Sequence, residues 1–322
     1  MPKEAAHWIL AERTWEAMHT GPLKEEIGRY KALYDLGAVI FDTPFYYIAG
    51  KDREKLDNAA RRLHGHQAAS PFNPFLPLAQ SPDDLPDGYR PFLAGAFTHI
   101  AADATFHPFV YHLSGSDTDG SPDRAAQATA RHRRIESALD LHLFNRNGSF
   151  RGLRLLGLYR RREIGTKELL KLMNLLYFGK RFVSEASLRR ALRQHGLVQS
   201  LLHQPWAHRL MLLLNAWFTH HYDPLEALFY ATCTQPDPGL FQRPLIYRHP
   251  VTGEERRESV ADLEARTVSL ALGFLRILDE ARHPDDLKKR LADAAFPSLY
   301  HGLPPDGRQK MRFFDRTQPL DI

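Results

Sequence analysis

Three side chains that can bind metals follow one another at four-residue spacing in the first half of the chain: His99, Asp103 and His107. Each four-residue step turns an α-helix by about 400°, so the three drift only about 80° around the axis and share one face. The residues between them, including Ile100 and Ala102, are apolar, so we expect this helix to be buried. A buried Asp then needs a partner, because an unpaired buried charge is costly.

A second set of the same type lies further along the chain. His132 and Glu136 are again four residues apart, and Asp140 continues the spacing. Imidazole and carboxylate groups suit Zn²⁺. One such pair is more often a structural hydrogen bond than a metal site. Two sets in one helical region, with further histidines upstream, favour metal binding, although the H-E-x-x-H pattern of metalloproteases is absent.

Further candidate ligands lie nearer the N-terminus. His7 belongs to the first predicted helix, Asp42 follows an apolar run, and His64 and His66 flank Gly65 at a helix end. Each of them also has an ordinary interpretation as a packed or hydrogen-bonded side chain.

The spacing of apolar residues predicts an all-α fold that would position these groups. No sustained alternation indicates a sheet, and we expect residues 68–90 to form an irregular loop and 234–256 to be extended. Pro108 is expected to end its helix. The predicted helices are 3–19, 24–36, 53–63, 91–106, 121–145, 166–178, 184–195, 198–220, 223–232, 257–282 and 284–294.

The distribution of charge divides the chain near residue 150. The net charge is +5, yet residues 151–200 contain 12 Lys or Arg and only 3 Asp or Glu. We therefore predict a metal-binding helical domain over 1–150 and a helical C-terminal region over 151–322. The basic segment 151–200 could attract an anionic membrane surface or nucleic-acid phosphates, or it could be a solvated helix surface.

Composition excludes several classes of protein. Cys233 is the only cysteine, which excludes an intramolecular disulfide and a thiolate zinc finger. The N-terminal residues lack the features of a secretory signal, and the longest apolar run, Met211–Phe218, is too short to span a bilayer. We therefore expect a cytoplasmic protein, and no obligate protein partner is evident.

Taken together, these residues resemble the zinc-dependent phospholipase C family, which includes P1-type nucleases and the catalytic domain of glycosylphosphatidylinositol-specific phospholipase D. The resemblance covers about residues 2–145. The His-xxx-Asp-xxx-His set with the downstream His-xxx-Glu pair is its most specific part. The matching pieces are His7-Trp8, Gly37–Asp42 with Phe45-Tyr46, Leu63–His66, Gly95–Asp103 with Phe106-His107, and His132 with Glu136.

The resemblance implies a multi-helix bundle around up to three zinc ions, with additional C-terminal helices. It implies three ligand sets: Asp42, His64 or His66, His99 and Asp103 for the first ion; His107, His132 and Glu136 for the second; His7 and a bridging Asp103 for the third. In the family the third ion is also held by a processed chain terminus. Removal of Met1 would make Pro2 such a ligand, and a solvated terminus is the alternative.

The activity implied by the resemblance is phosphodiester hydrolysis. A metal-activated hydroxide would attack the phosphodiester of a phospholipid substrate, and Asp42 would orient or deprotonate the water as well as bind metal. Two alternatives remain open. One is a P1-like nuclease that acts on single-stranded nucleic acid, and the other is a non-catalytic helical scaffold stabilised by metal.

Overall fold

The computed structural model describes residues 3–64, 85–116, 121–146, 153–179, 183–218, 223–230, 241, 244–281, 283–294, 296–304 and 309–315. Within these ranges the fold is helical except for one antiparallel pair of short strands. The predicted all-α class is therefore confirmed. None of the described helices is long and apolar enough to cross a membrane.

The described part of the chain contains thirteen α-helices and one short 3-10 helix, Thr43–Tyr46, between α3 and α4. The α-helices are α1 (Glu4–Ala17), α2 (Pro22–Arg29), α3 (Lys31–Gly37), α4 (Arg53–Leu63), α5 (Tyr89–Ser114), α6 (Pro122–Arg146), α7 (Leu155–Arg161), α8 (Thr166–Phe178), α9 (Glu185–Leu202), α10 (Pro205–Trp217), α11 (Asp223–Glu226), α12 (Val260–Glu280) and α13 (Pro284–Asp293).

Local chemistry explains where several helices begin. Proline occupies the first position of α2, α10 and α13, where a missing N–H costs nothing. Ser259 caps α12: its hydroxyl accepts a hydrogen bond from the backbone N–H of Asp262, and the Asp262 carboxylate accepts one from the backbone N–H of Ser259, which forms a capping box. Ser184 accepts a hydrogen bond from the backbone N–H of Ser187 at the start of α9.

Pro108 does not end its helix, so that prediction is wrong. The helix continues as α5 from Tyr89 to Ser114, and nearly all of its residues are buried. Proline removes the hydrogen bond that the Ala104 carbonyl would accept. Gly302 lies against that carbonyl: a Cβ built on Gly302 would be 2.4 Å from the Ala104 oxygen. Tertiary packing therefore holds the helix through its proline.

Other helix boundaries also differ from prediction. The single helix predicted over 24–36 is two helices that meet at Tyr30, whose backbone is not helical. The break between α9 and α10 lies before Pro205 rather than near Gly196. The residue before a proline is biased toward an extended backbone, which Gln204 has, and Gly196 is covered by Leu156. The helix predicted over 223–232 is only the single turn α11, and α7 was not predicted at all.

Two short strands lie in or at the end of the segment 234–256, which we expected to be extended. Strand β1 (Leu245–Arg248) pairs antiparallel with β2 (Glu255–Glu258), with Leu245 opposite Glu258. Burial alternates along β1, but four residues are too few for the alternation to stand out in the sequence.

Helix α5 lies at the centre of the core and packs against α1, α3, α6 and α12. Its contact with α3 is close because two glycines face each other's backbone. A Cβ on Gly37 would be 2.1 Å from the Phe92 carbonyl oxygen, and a Cβ on Gly95 would be 2.0 Å from that of Tyr34. The largest apolar cluster joins residues such as Phe97 and Leu176 from both halves of the chain. The division at residue 150 stays a prediction.

Candidate metal centre

The face of α5 that the sequence singled out is fully enclosed. His99 and Asp103 have no exposed surface, and His107 is also buried. Helices α1, α4 and α6 and the segment that follows α3 each bring a further candidate ligand to this face. The result is three groups of atoms, each group with its members within 4.8 Å of one another.

The first group joins α1 to α5. It contains His7, His99 and Asp103. Nε2 of His7 lies 3.5 Å from Oδ1 of Asp103, and Nε2 of His99 lies 3.3 Å from Oδ2 of the same carboxylate. The two imidazole rings stack with their centroids 4.0 Å apart. Asp103 therefore points one oxygen toward each histidine.

The second group contains Asp42, His64 and His99. Asp42 immediately precedes the 3-10 helix, and His64 follows the last residue of α4. Nε2 of His64 lies 3.3 Å from Oδ1 of Asp42, and Nε2 of His99 lies 3.9 Å from the same oxygen. Oδ2 of Asp103 is 3.8 Å from Nε2 of His64, so this carboxylate also lies beside the second group.

The third group lies one turn further along α5, where α6 approaches it. It contains His107, His132 and Glu136. Nε2 of His132 is 2.8 Å from Oε1 of Glu136, and Nε2 of His107 is 3.9 Å from that oxygen. The i, i+4 pair on α6 thus meets the last histidine of α5.

The donor atoms fit zinc in type, spacing and environment. Two ligands of a tetrahedral zinc, each about 2.0–2.1 Å from the ion, lie about 3.3 Å apart, which matches several of these separations. Buried polar atoms are normally hydrogen-bonded. Among the described residues, the following buried atoms have no hydrogen-bond partner: Nε2 of His7, His64, His99 and His107, Oδ1 of Asp42, and both carboxylate oxygens of Asp103.

Hydrogen bonds behind the centre orient the imidazoles. Nδ1 of His64 donates to the Ala60 carbonyl at 2.7 Å, and Nδ1 of His99 donates to the Ala38 carbonyl at 2.9 Å. Nδ1 of His107 donates to the carbonyl of Leu299. Because a carbonyl can only accept, the proton resides on Nδ1 and leaves Nε2 free to bind a metal. Such outer hydrogen bonds are typical of metal-binding histidines.

Burial favours the neutral form of most histidines in the centre; the carboxylates of Asp103 and Asp42 outweigh burial at His99 and raise its pKa. Burial lowers the pKa of His107 to about 3 and the pKa of His132 well below its ordinary value. It lowers the pKa of His7 in the same way, with the nearby His99 adding to the effect. Burial alone would raise the pKa of Asp103, but His99 and His107 outweigh it and hold that pKa well below the usual range. Neutral imidazoles and an ionised carboxylate are the forms that bind metal.

A pocket of about 530 Å³ opens onto the centre. Asp42, His64 and the third group line one part of it. Apolar and aromatic side chains line another part, namely Phe45, Ile48, Tyr111, Val198, Leu225 and Tyr300. The pocket therefore joins metal-binding polar atoms to an apolar wall.

Asp140 has a role that the spacing did not reveal. It continues the four-residue pattern of α6, yet its carboxylate accepts hydrogen bonds from the backbone N–H groups of Ala5 and Ala6 at 3.2 and 2.7 Å. The hydroxyl of Tyr230 donates to it at 2.8 Å. Asp140 thus caps the first turn of α1, the helix that carries His7. Acidic groups are favourable at that end of a helix.

Glu4 and His195 lie near the pocket, and no sequence pattern marked either of them. Glu4 is buried beside the pocket, and its Oε1 is 2.9 Å from Nε2 of His195. Nδ1 of His195 is in turn 3.0 Å from the hydroxyl of Thr43, the residue after Asp42. These contacts join residues more than 100 positions apart, so local spacing could not have found them. Pro2 and His66 lie outside the described residues.

A family model described as zinc-dependent phospholipase C matches residues 6–184, more than half of the chain. The match contains all eight residues of the three groups. No curated protein matches the chain, and no solved structure does.

Proposed function

Because the chain belongs to the zinc-dependent phospholipase C family, we propose that it is a zinc-dependent hydrolase that cleaves the phosphodiester of a phospholipid. The observation that carries the proposal is the pocket, in which buried metal-binding atoms and an apolar wall face the same space. A phospholipid has a charged phosphodiester directly joined to an apolar part, so one molecule would contact both.

Under this proposal the three groups are zinc sites. Asp42, His64 and His99 would hold one ion together with Asp103, and His107, His132 and Glu136 would hold a second. His7 would hold a third ion together with Asp103, which the resemblance assigns to two ions. The positions of Oδ1 and Oδ2 beside different histidines support that bridging role. The number of three ions, and Pro2 and His66 as further ligands, stay predictions.

When bound, zinc would supply positive charge that stabilises the phosphoryl oxygens and would lower the pKa of a water molecule. The chain itself would orient the reactants. Asp42 lines the pocket, and its carboxylate would accept the proton of the attacking water. The water oxygen bonds to phosphorus as the bond from phosphorus to the glycerol oxygen breaks. The proton passes to that leaving oxygen, which gives a diacylglycerol and a phosphorylated headgroup.

The apolar side of the pocket would hold the glycerol end of the lipid. Phe45 and Leu225 line it and are partly open to solvent, so acyl chains could leave the pocket without burying a charge.

The test has two measurements on the purified full-length chain. Elemental analysis should find two to three zinc ions per chain, as the resemblance implies, and a soluble short-chain phosphatidylcholine should be cleaved to diacylglycerol. Asp42→Asn should lower the rate by about 100-fold, the range of general-base catalysis. The matched control Asp279→Asn changes an exposed residue of α12 and should leave the rate unchanged.

Other outcomes would overturn the proposal. Cleavage of single-stranded nucleic acid without cleavage of the phospholipid would indicate a nuclease. Bound zinc with no hydrolysis of either substrate would indicate a metal-stabilised scaffold. Absence of metal that added zinc cannot restore would remove the mechanism altogether. The cytoplasmic location stays a prediction, which fractionation of cells that make the protein would test.

A further inference from the structure

Helix α10 presents an unusually apolar surface to solvent. Of its side chains, Trp217 is 84% exposed, Leu213 is 70% exposed and Trp206 is 61% exposed. We call this surface the α10 apolar face and define it as Trp206, Leu210, Leu212, Leu213, Leu214 and Trp217. Isolated exposed apolar residues are ordinary, but a contiguous group of large ones marks an interaction site.

The helix is attached to the body by a narrow polar and small-residue strip. Ala207, His208 and Asn215 are its buried residues. Nδ2 of Asn215 donates to Asp223 at 2.6 Å and to Glu226 at 3.0 Å, which fastens α10 to α11. This attachment buries His208 and Asn215 and leaves the leucines and tryptophans of the helix facing outward. The outward orientation is therefore held by specific contacts.

The α10 apolar face continues toward the mouth of the pocket. On α9, Leu197 and Leu201 are exposed and lie four residues apart on one side of the helix. Val198, next to Leu197, lines the pocket. Ile48 also lines the pocket and is 56% exposed. Its backbone N–H donates a hydrogen bond to the side-chain oxygen of Gln194 on α9. Helix α9 thus carries exposed leucines and also contributes Val198 to the lining of the pocket.

Basic residues border this surface. Arg190 and Arg193 are exposed and continue the line of Leu197 and Leu201 toward the start of α9, at spacings of three and four residues. Helix α10 itself contains one arginine, Arg209, which is exposed, and no acidic residue. A flat layer with an apolar interior and an anionic surface matches both the leucines and the arginines.

We propose that α10 and the C-terminal part of α9 form a docking surface for a phospholipid membrane that carries anionic headgroups. Helix α10 has 13 residues, about 20 Å at 1.5 Å per residue, which is too short to span a bilayer. It would lie in the plane of the interface with its leucines among the acyl chains. Trp206 and Trp217, near its two ends, are the residue type that prefers the boundary between headgroups and chains.

Docking in this orientation would place the pocket mouth against the lipid. Phe45 and Ile48 would contact the same layer as Leu201, so a phospholipid could enter the pocket without crossing water. This consequence for substrate delivery rests on the proposed function. The docking itself does not, because it involves none of the metal-binding residues.

The chain provides its own optical probe for the test. Its four tryptophans are Trp8, which is buried, Trp15, which is partly buried, and the two exposed ones on α10. Full-length protein with its metal is mixed with phosphatidylcholine vesicles that contain or lack phosphatidylglycerol. Binding is measured by vesicle flotation and by the blue shift of tryptophan emission. We expect binding to be stronger on vesicles with phosphatidylglycerol, accompanied by a blue shift.

The variant Leu213→Ser with Trp217→Ser should bind at least about tenfold more weakly, since it removes much of the inserted apolar area. Ile246→Ser is the matched control, because Ile246 is a similarly exposed apolar residue on β1, and it should bind like wild type. Arg190→Glu with Arg193→Glu should abolish the preference for anionic vesicles. Circular dichroism should show that each variant is folded.

Three results would overturn the docking proposal. In the first, the double variant Leu213→Ser with Trp217→Ser binds vesicles as strongly as wild type. Another is no vesicle binding by wild type. The third is a wild-type dimer by light scattering that this variant converts to a monomer, which would make the face a contact between two copies. Hydrolysis of soluble short-chain phosphatidylcholine, measured in parallel, separates these results from failure of the proposed function, because docking residues should not affect it.

Discussion

Asp103 is the residue on which most of the candidate centre depends. Its two oxygens lie beside His7, His64 and His99, and it has no exposed surface. It belongs to the first group and also lies beside His64 of the second. Among the described residues, neither of its oxygens has a hydrogen-bond partner.

Asp103→Asn should therefore remove at least one zinc ion. The substitution keeps the size of the side chain but removes its charge, so two neighbouring sites lose an anionic ligand. We expect at least one zinc equivalent fewer by elemental analysis and a loss of phosphodiesterase activity of at least about 100-fold. Asp279→Asn serves again as the control. Full zinc content in Asp103→Asn would contradict the bridging role.

Asp35 gives a pH dependence that does not involve the centre. Burial raises its pKa from 3.8 to about 6, although Lys31, 2.5 Å away, opposes the shift. Glu12 and Glu163 also face it and add to the rise. The folded chain then holds a proton that the unfolded chain releases, so this contribution to stability is present below about pH 4 and is lost as pH rises through about 6.

The measurement compares wild type with Asp35→Asn, both without metal. The difference in unfolding free energy, wild type minus variant, should fall by about 2 kcal/mol between about pH 4 and about pH 7. Urea unfolding across this range gives the values. Parallel profiles of the two proteins would show that burial does not shift the pKa of Asp35.

At the scale of elements, the segment after α13 completes the environment of α5. Gly302 has a φ of +70° and packs on the Ala104 carbonyl that Pro108 leaves without its helical hydrogen bond. Its backbone N–H donates a hydrogen bond to the backbone carbonyl of Ser298 at 2.8 Å, and this bond closes a turn that contains Leu299. The carbonyl of Leu299 accepts the hydrogen bond from His107. A distant turn thus supports both the proline in α5 and one histidine of the third group.

Gly302→Ala should disturb both the packing of this turn on α5 and the hydrogen bond from His107 to Leu299. Its Cβ would lie 2.4 Å from a backbone oxygen, and alanine is strained at positive φ, so we expect a loss of stability of about 2–4 kcal/mol. Zinc content should fall as the Leu299 carbonyl moves. Gly273→Ala is the matched control: Gly273 lies in α12 with nothing near its Cβ, so this change should be neutral or stabilising by up to about 1 kcal/mol. Equal melting temperatures for the two variants would refute the packing argument.

At the scale of the whole molecule, metal should stabilise the fold. The groups join α1, α4, α5 and α6 and leave several buried polar atoms without protein partners. A ligand that binds only the folded chain adds stability by mass action. Chelation of the metal should lower the melting temperature by about 10 °C. Zinc should restore it and magnesium should not, because imidazole-rich sites favour zinc.

The prediction is checked by differential scanning fluorimetry with EDTA, followed by each metal. Asp103→Asn is the informative control, since its melting temperature should respond less to EDTA than that of wild type. An unchanged melting temperature in wild type after verified removal of all metal would indicate that the centre contributes nothing to the fold.

The family and much of the candidate site were recognisable from sequence because the strongest signals are local. His99, Asp103 and His107 share a face by helical geometry alone, and so do His132 and Glu136. Helices such as α4 and α8 match their predicted bounds for the same reason. Boundaries failed where packing overrode local preference, as at Pro108, or where an element was too short to show a period, as at β1.

The sequence by itself determined the all-α class, the family and the residue types of the centre, because these follow from spacing along single helices. Only the tertiary structure decided which residues meet. His7 and Asp103 are separated by 96 positions, and their contact depends on the packing of α1 against α5. Asp140 has the same spacing as a ligand, yet it caps α1, since the start of that helix lies beside it. The outward face of α10 is likewise a tertiary result, because an apolar run looks the same in a sequence whether it is buried or exposed.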